Sequence, residues 1–154
     1  KQIMCYYKFH LHLKSYNWVG TRACKKKYFI SPNWLRDIKD KAYPIWRIDT
    51  LFSKKKYTNL VFIKNGGWHF TCLRTAEDLE KKLLNFAHHY EYEESGLNIN
   101  NLKQLIAEKR VMYDHKADQK EFKWSGKSIL KNIDTNFLPE YVYSNLDKYS
   151  DWLD

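Results

Sequence analysis

Glycine and proline are scarce in this chain of 154 residues, five and three respectively, while aromatic residues make up 17%. That balance excludes a disordered or low-complexity chain. No apolar run approaches the roughly 18 residues of a membrane-spanning helix, and no signal peptide is visible. The three cysteines, Cys5, Cys24 and Cys72, are widely spaced and include no Cys-x-x-Cys pair. A zinc ribbon or a disulfide framework is therefore excluded, and a reducing compartment is the expectation. The predicted location is cytoplasmic, peripheral to a membrane at most. Internal repeats and linker-like stretches are also missing, which predicts a single domain over 1–154 or one half of a larger one. The sequence opens on Lys1 rather than Met, as a piece of a longer protein would.

What is present is basic and patterned. The formal net charge is +9, a field that attracts polyanions such as nucleic acid, anionic headgroups or a nucleotide diphosphate. Residues 3–13 alternate, with Ile3, Cys5, Tyr7, Phe9, Leu11 and Leu13 on one face, predicting one long strand. Tyr16, Trp18 and Val19 extend it towards Gly20. Tyr28-Phe29-Ile30 predicts a short strand stopped by Ser31-Pro32-Asn33, and a helical turn follows around Trp34, Leu35 and Ile38. Residues 42–58 read as loop, with Pro44 and the 54–56 lysines.

Leu60-Val61-Phe62-Ile63 predicts a strand, and Asn65-Gly66 a type I′ hairpin into a strand from Trp68. Thr75 is a good N-cap, with Glu77 and Asp78 favouring the positive helix end. Ala76, Leu79, Leu83, Phe86 and Tyr90 then predict one amphipathic helix. Residues 91–96 read as an acidic link. A further helix starts near Asn98 or Asn100 and buries Leu102, Leu105 and Ile106, and residues 111–127 read as loop. A last helix begins at Pro139 and carries Tyr141, Val142, Leu146, Tyr149 and Leu153. The sum is an α/β (α+β) fold with a mixed sheet and flanking helices.

Few residues carry chemistry, and each has a bland reading beside it. Gly66, Gly67, Trp68 and His69 combine a turn open to close approach, an aromatic face and an imidazole. They suit a ligand-binding edge, but taken alone they read first as a hairpin turn with a core Trp and a half-exposed His. His88, His89 and Glu91 could supply a base for an acceptor hydroxyl, or simply close a helix. His10 and His12, two apart, have metal-ligand spacing on a strand but no third ligand, so they read as a polar face. Asp114-His115 is discounted in the same way. The lysine runs at 25–27 and 54–56 read as solvated loops.

The run Gly66-Gly67-Trp68-His69-Phe70, the helix after it to Phe86-Ala87-His88, the 99–106 helix and Leu138-Pro139-Glu140-Tyr141 resemble glycosyltransferase family 17. Tyr6-Tyr7-Lys8-Phe9, Trp18 and Trp34-Leu35-Arg36 follow the family's order, so the likeness spans nearly the whole chain. It implies a GT-A-type enzyme that transfers N-acetylglucosamine from a UDP-sugar donor to a glycan acceptor with inversion, using a divalent metal (Mn or Mg). By the same resemblance Gly66, Gly67, Trp68 and His88 bind substrate, and His69, near the diphosphate or metal, and Glu91, as the base, act in catalysis. The Asp-x-Asp element that holds the metal in such enzymes is missing from these residues. The expectation is a C-terminal, acceptor-side portion that transfers little sugar alone, with the metal ligands unknown. The alternatives are a basic module binding single-stranded nucleic acid, although no RNP, KH or zinc-knuckle pattern occurs, and a non-catalytic carbohydrate-binding relative.

Overall fold

Tyr7 takes a left-handed backbone conformation (φ +63°) and splits the alternating N-terminal segment into a hairpin. The computed structural model describes residues 1–40, 53, 56–87, 89–115 and 122–153. In it, β1 (Gln2–Tyr6) and β2 (Leu11–Trp18) pair antiparallel, with Ile3 opposite Asn17 and Cys5 opposite His12. The long strand expected over 3–13 is thus two strands. Alternation alone does not reveal the break, because Tyr6, which ends β1, and Tyr7, which opens the turn, are both buried.

By their contacts the residues group into two compact units, Lys1 with Val19–Lys64 and Gln2–Trp18 with Asn65–Asp154. The larger unit holds a four-stranded mixed sheet in the order β5-β1-β2-β6. Here β5 (Trp68–Thr71) runs parallel to β1, and β6 (Lys131–Asn132) antiparallel to β2. One face carries Met4, Tyr6, Leu11 and Leu13, which form a buried cluster with Leu79, Leu83, Leu102, Val111 and Leu130. Phe70, on the other face, packs with Phe9, Leu138 and Val142 and with Tyr149 and Trp152. A sheet covered on both faces explains why β1 reads as almost continuously apolar.

The covering helices follow from their caps. Thr75 accepts the Asp78 N–H and opens α2 (Ala76–Leu84), which buries Ala76, Leu79 and Leu83 as expected. The helix stops short of Phe86 and Tyr90, because Asn85 turns its side-chain amide and its backbone N–H onto the Lys81 carbonyl. Residues expected as an acidic link instead form α3 (His89–Glu94), with Tyr92 buried. Asn98 and Asn101 form a reciprocal capping box at the start of α4 (Ile99–Ala107), whose Leu102 is fully buried. Residues 111–115 and 122–127 hold no helix or strand among those described, in line with the loop reading, yet Val111 and Met112 are core residues. Past Pro139, α5 (Glu140–Tyr143) is short, and a kinked 3₁₀ segment over Leu146–Trp152 replaces the rest of the expected helix.

The smaller unit departs furthest from expectation. Ser31 caps α1 (Pro32–Asp37), with Pro32 in its first turn, close to the helical turn expected there. Short β3 (Lys39–Asp40) and β4 (Tyr57–Thr58) pair parallel. Tyr28-Phe29-Ile30 is no strand: residues 26–28 wind into a 3₁₀ turn, with Tyr28 and Phe29 N–H groups donating to Lys25 and Lys26 carbonyls. Leu60-Val61-Phe62-Ile63 is no strand either, and Val61 is 91% exposed. Strand-like composition gives a strand only where a neighbour completes the ladder. Most of the 42–58 segment expected as loop lies outside the described residues.

Candidate functional site

The Asn65-Gly66 segment does not make the predicted hairpin. Asn65 and Gly67 have positive φ (+51° and +124°) but Gly66 does not, so no type I′ turn forms. The Gly67 carbonyl instead accepts the Ile3 N–H (2.9 Å), which starts the parallel β1–β5 ladder. A Cβ on Gly67 would sit 3.7 Å from Gln2 Nε2, an ordinary contact. Backbone conformation rather than space is what calls for glycine there.

Trp68 and His69 leave β5 on opposite faces. The Trp68 indole N–H donates to the Phe137 carbonyl (2.8 Å), which ties β5 to the C-terminal segment. His69 lies beside Met4 on the other face, and Gln2 lies beside Trp18 of β2. The rings of Trp18 and His69 therefore close over β1, stacked at 4.5 Å and 18°. Burial holds the His69 imidazole below the usual histidine range, so it is neutral near pH 7.

His115 joins this face. Its Nε2 lies 3.3 Å from the Tyr6 hydroxyl, its ring stacks on Tyr16 at 5.3 Å, and the edges of Tyr6 and Tyr113 meet it. Burial lowers its pKa, the neighbouring Asp114 raises it, and the His69 imidazole lowers it further. Tyr6 itself is almost wholly buried, and burial pushes its hydroxyl far above the ordinary phenol range, so it stays protonated. Trp18, His69, Tyr16 and His115 form a half-exposed row of rings that can offer apolar faces and neutral imidazole nitrogens to a ligand. The sequence points to His69 as a site residue, to Trp18 only as strand, and away from His115. The residue is brought in by a contact across 109 positions, which no local pattern signals.

Glu91 lies exposed on α3, and His88 lies outside the described residues. His10 sits in the β1–β2 turn and His12 on β2, so the two do not share one strand face. No group of three histidine, cysteine, aspartate or glutamate side chains able to hold a metal occurs among the described residues. The divalent metal implied by the resemblance therefore finds no fitting ligand set there. An open depression lined by Asp114, Phe122, Trp124, Ser125 and Lys127 includes none of residues 66–69. No helix among the described residues is long and apolar enough to cross a membrane. No family model, curated protein or solved structure matches the chain.

Proposed function

We propose that this chain supplies the acceptor-side portion of an inverting N-acetylglucosaminyltransferase of glycosyltransferase family 17, with a GT-A-type fold. The donor is UDP-N-acetylglucosamine and the acceptor a glycan hydroxyl. The observation that carries the reading is how the segments of the resemblance meet. Tyr6 of β1 lies beside Thr71 of β5, and Phe9 packs edge-on against Phe70 at 5.0 Å. The Trp68 indole donates to Phe137, the residue just before Leu138-Pro139-Glu140-Tyr141. Segments far apart in sequence, which follow one family's order, thus build a single strand pair and its cover. That convergence supports reading them together as one functional element.

In the reaction the acceptor oxygen attacks the anomeric carbon as the bond to UDP breaks, and the hydroxyl proton passes to a base on the protein. His69 is the better candidate for that base, because a neutral imidazole near pH 7 is ready to accept a proton. Glu91 is the second candidate. The half-exposed rings of Trp18 and Tyr16 suit the C–H face of a sugar, and Gly66, Gly67, Trp68 and His88 complete the proposed substrate contacts. The metal and diphosphate role is assigned to residues other than those described.

The test is a titration of the chain with an N-glycan oligosaccharide and, separately, with UDP-N-acetylglucosamine, followed through tryptophan and histidine NMR resonances. The oligosaccharide is expected to shift Trp18 and His69, and His69→Ala to weaken its binding about tenfold. The UDP-sugar is expected to leave those resonances in place. No response to the oligosaccharide would remove the glycan assignment. Metal-dependent sugar transfer by this chain alone would instead remove its restriction to the acceptor side.

A further inference from the structure

The smaller unit carries two exposed apolar runs beside lysines, and the proposed transferase chemistry uses neither. Lysines 25–27 are exposed and are followed directly by Tyr28, Phe29 and Ile30, at 60%, 47% and 55% exposure. The Lys27 ammonium lies 4.8 Å from the centre of the Tyr28 ring. The 3₁₀ turn there buries no side chain, so packing among the described residues does not account for three large apolar groups in a row. Its N–H groups at 28 and 29 bond to the carbonyls of 25 and 26, which satisfies those donors locally. A segment with its own backbone bonds can enter a less polar medium at lower cost.

The same unit repeats the composition. Val61, Phe62 and Ile63 are exposed, Lys64 follows them, and the Lys1 ammonium stands 5.2 Å from the centre of the Phe62 ring. Basic groups beside exposed rings and branched aliphatics match the boundary of an anionic bilayer. Lysine stems lie along apolar surface with their charges at the headgroups, and Tyr, Phe and Ile side chains reach the acyl boundary. Single-stranded nucleic acid matches less well, because base stacking uses the rings and leaves Ile30, Val61 and Ile63 without a role.

We propose that the smaller unit docks onto anionic lipid surfaces through Lys25-Lys26-Lys27-Tyr28-Phe29-Ile30, with the 61–64 run as a second contact. Co-sedimentation of the whole chain tests this, using phosphatidylcholine vesicles with and without about 30 mol% phosphatidylserine. Binding to the anionic vesicles alone is expected. Lys25→Glu/Lys26→Glu/Lys27→Glu should lower that binding about a hundredfold, from roughly 1 kcal/mol per lysine near the surface. Phe29→Ser/Ile30→Ser, which leaves the charge unchanged, should lower it about tenfold. Lys82→Glu/Lys127→Glu/Lys131→Glu, with the same net charge as the first variant, should bind nearly as the parent does. Circular dichroism confirms that each variant is folded. The proposal is overturned if the parent ignores anionic vesicles, or if the control triple loses as much binding as the first. It is also overturned if single-stranded RNA binds, with a steep loss between about 50 and 200 mM salt, while vesicles do not.

Discussion

The two compact units treat apolar residues in opposite ways. In the larger unit, Met4, Tyr6, Tyr7, Leu13, Leu79, Leu102 and Val111 are almost completely buried, and sheet and helices close over them. In the smaller unit, Ile38 and Tyr57 are the buried hydrophobic residues among those described, while Tyr28, Phe29, Ile30, Val61, Phe62 and Ile63 face outward. Both have similarly apolar stretches. The difference is a long-range partner: β1 finds β2 and β5, whereas the 28–30 and 60–63 runs find no strand among the described residues. Hydrophobicity makes burial favourable, but a ladder and a covering layer decide where it happens.

Substitution at Leu102 should expose this contrast most strongly. Leu102→Ala opens a cavity in the larger unit and should cost about 2–5 kcal/mol in urea denaturation. A value near zero would mean that the two units do not differ in packing as described. Tyr7→Phe comes next. The Tyr7 hydroxyl accepts the buried Met112 N–H at 3.1 Å, and leaving that donor unpaired should cost about 1–3 kcal/mol. Trp68→Phe removes the bond to Phe137 at a less buried place, and about 1 kcal/mol is expected by the same assay.

A smaller effect should follow pH. Burial lowers the pKa values of His12, His69 and His115 from 6.5, and Lys14 adds to the effect at His12. The unfolded chain then takes up protons more readily than the folded one just below pH 6.5. The contribution to stability is present above that pH and is lost as pH falls towards the depressed folded values. Melting curves between pH 7 and 5 should show that fall, and His69→Gln/His115→Gln should flatten it. An unchanged slope in the double variant would detach these two imidazoles from the effect. The least change is expected at Val61→Ser, within about 0.5 kcal/mol, because the side chain is already 91% exposed.

Local chemistry made parts of the fold legible. Ser31 before Pro32, Thr75 before Ala76 and Asn98 before Ile99 each mark a helix start, because a cap needs only a few neighbouring residues. Alternation disclosed strand character in the N-terminal segment but not the turn at Tyr7, whose left-handed backbone has no glycine to announce it. Phe86 and Tyr90 keep the helical spacing past the end of α2, which Asn85 closes through its own side chain. Of the candidate site, Trp68 and His69 were readable as a pair. Their separation onto opposite faces follows from the strand, but the ring stack on Trp18 does not.

By itself the sequence determined the basic charge, the helix starts and an apolar content sufficient for a core. Tertiary structure decided that β5 pairs with β1 rather than with residues 60–63, and that His115 meets Tyr6 and Tyr16. It also decided which apolar runs stay outside. The physical reason is range. Caps and periodicity act over three or four residues, whereas a ladder, a ring stack or a buried face joins residues tens of positions apart, and only the folded chain brings them into contact.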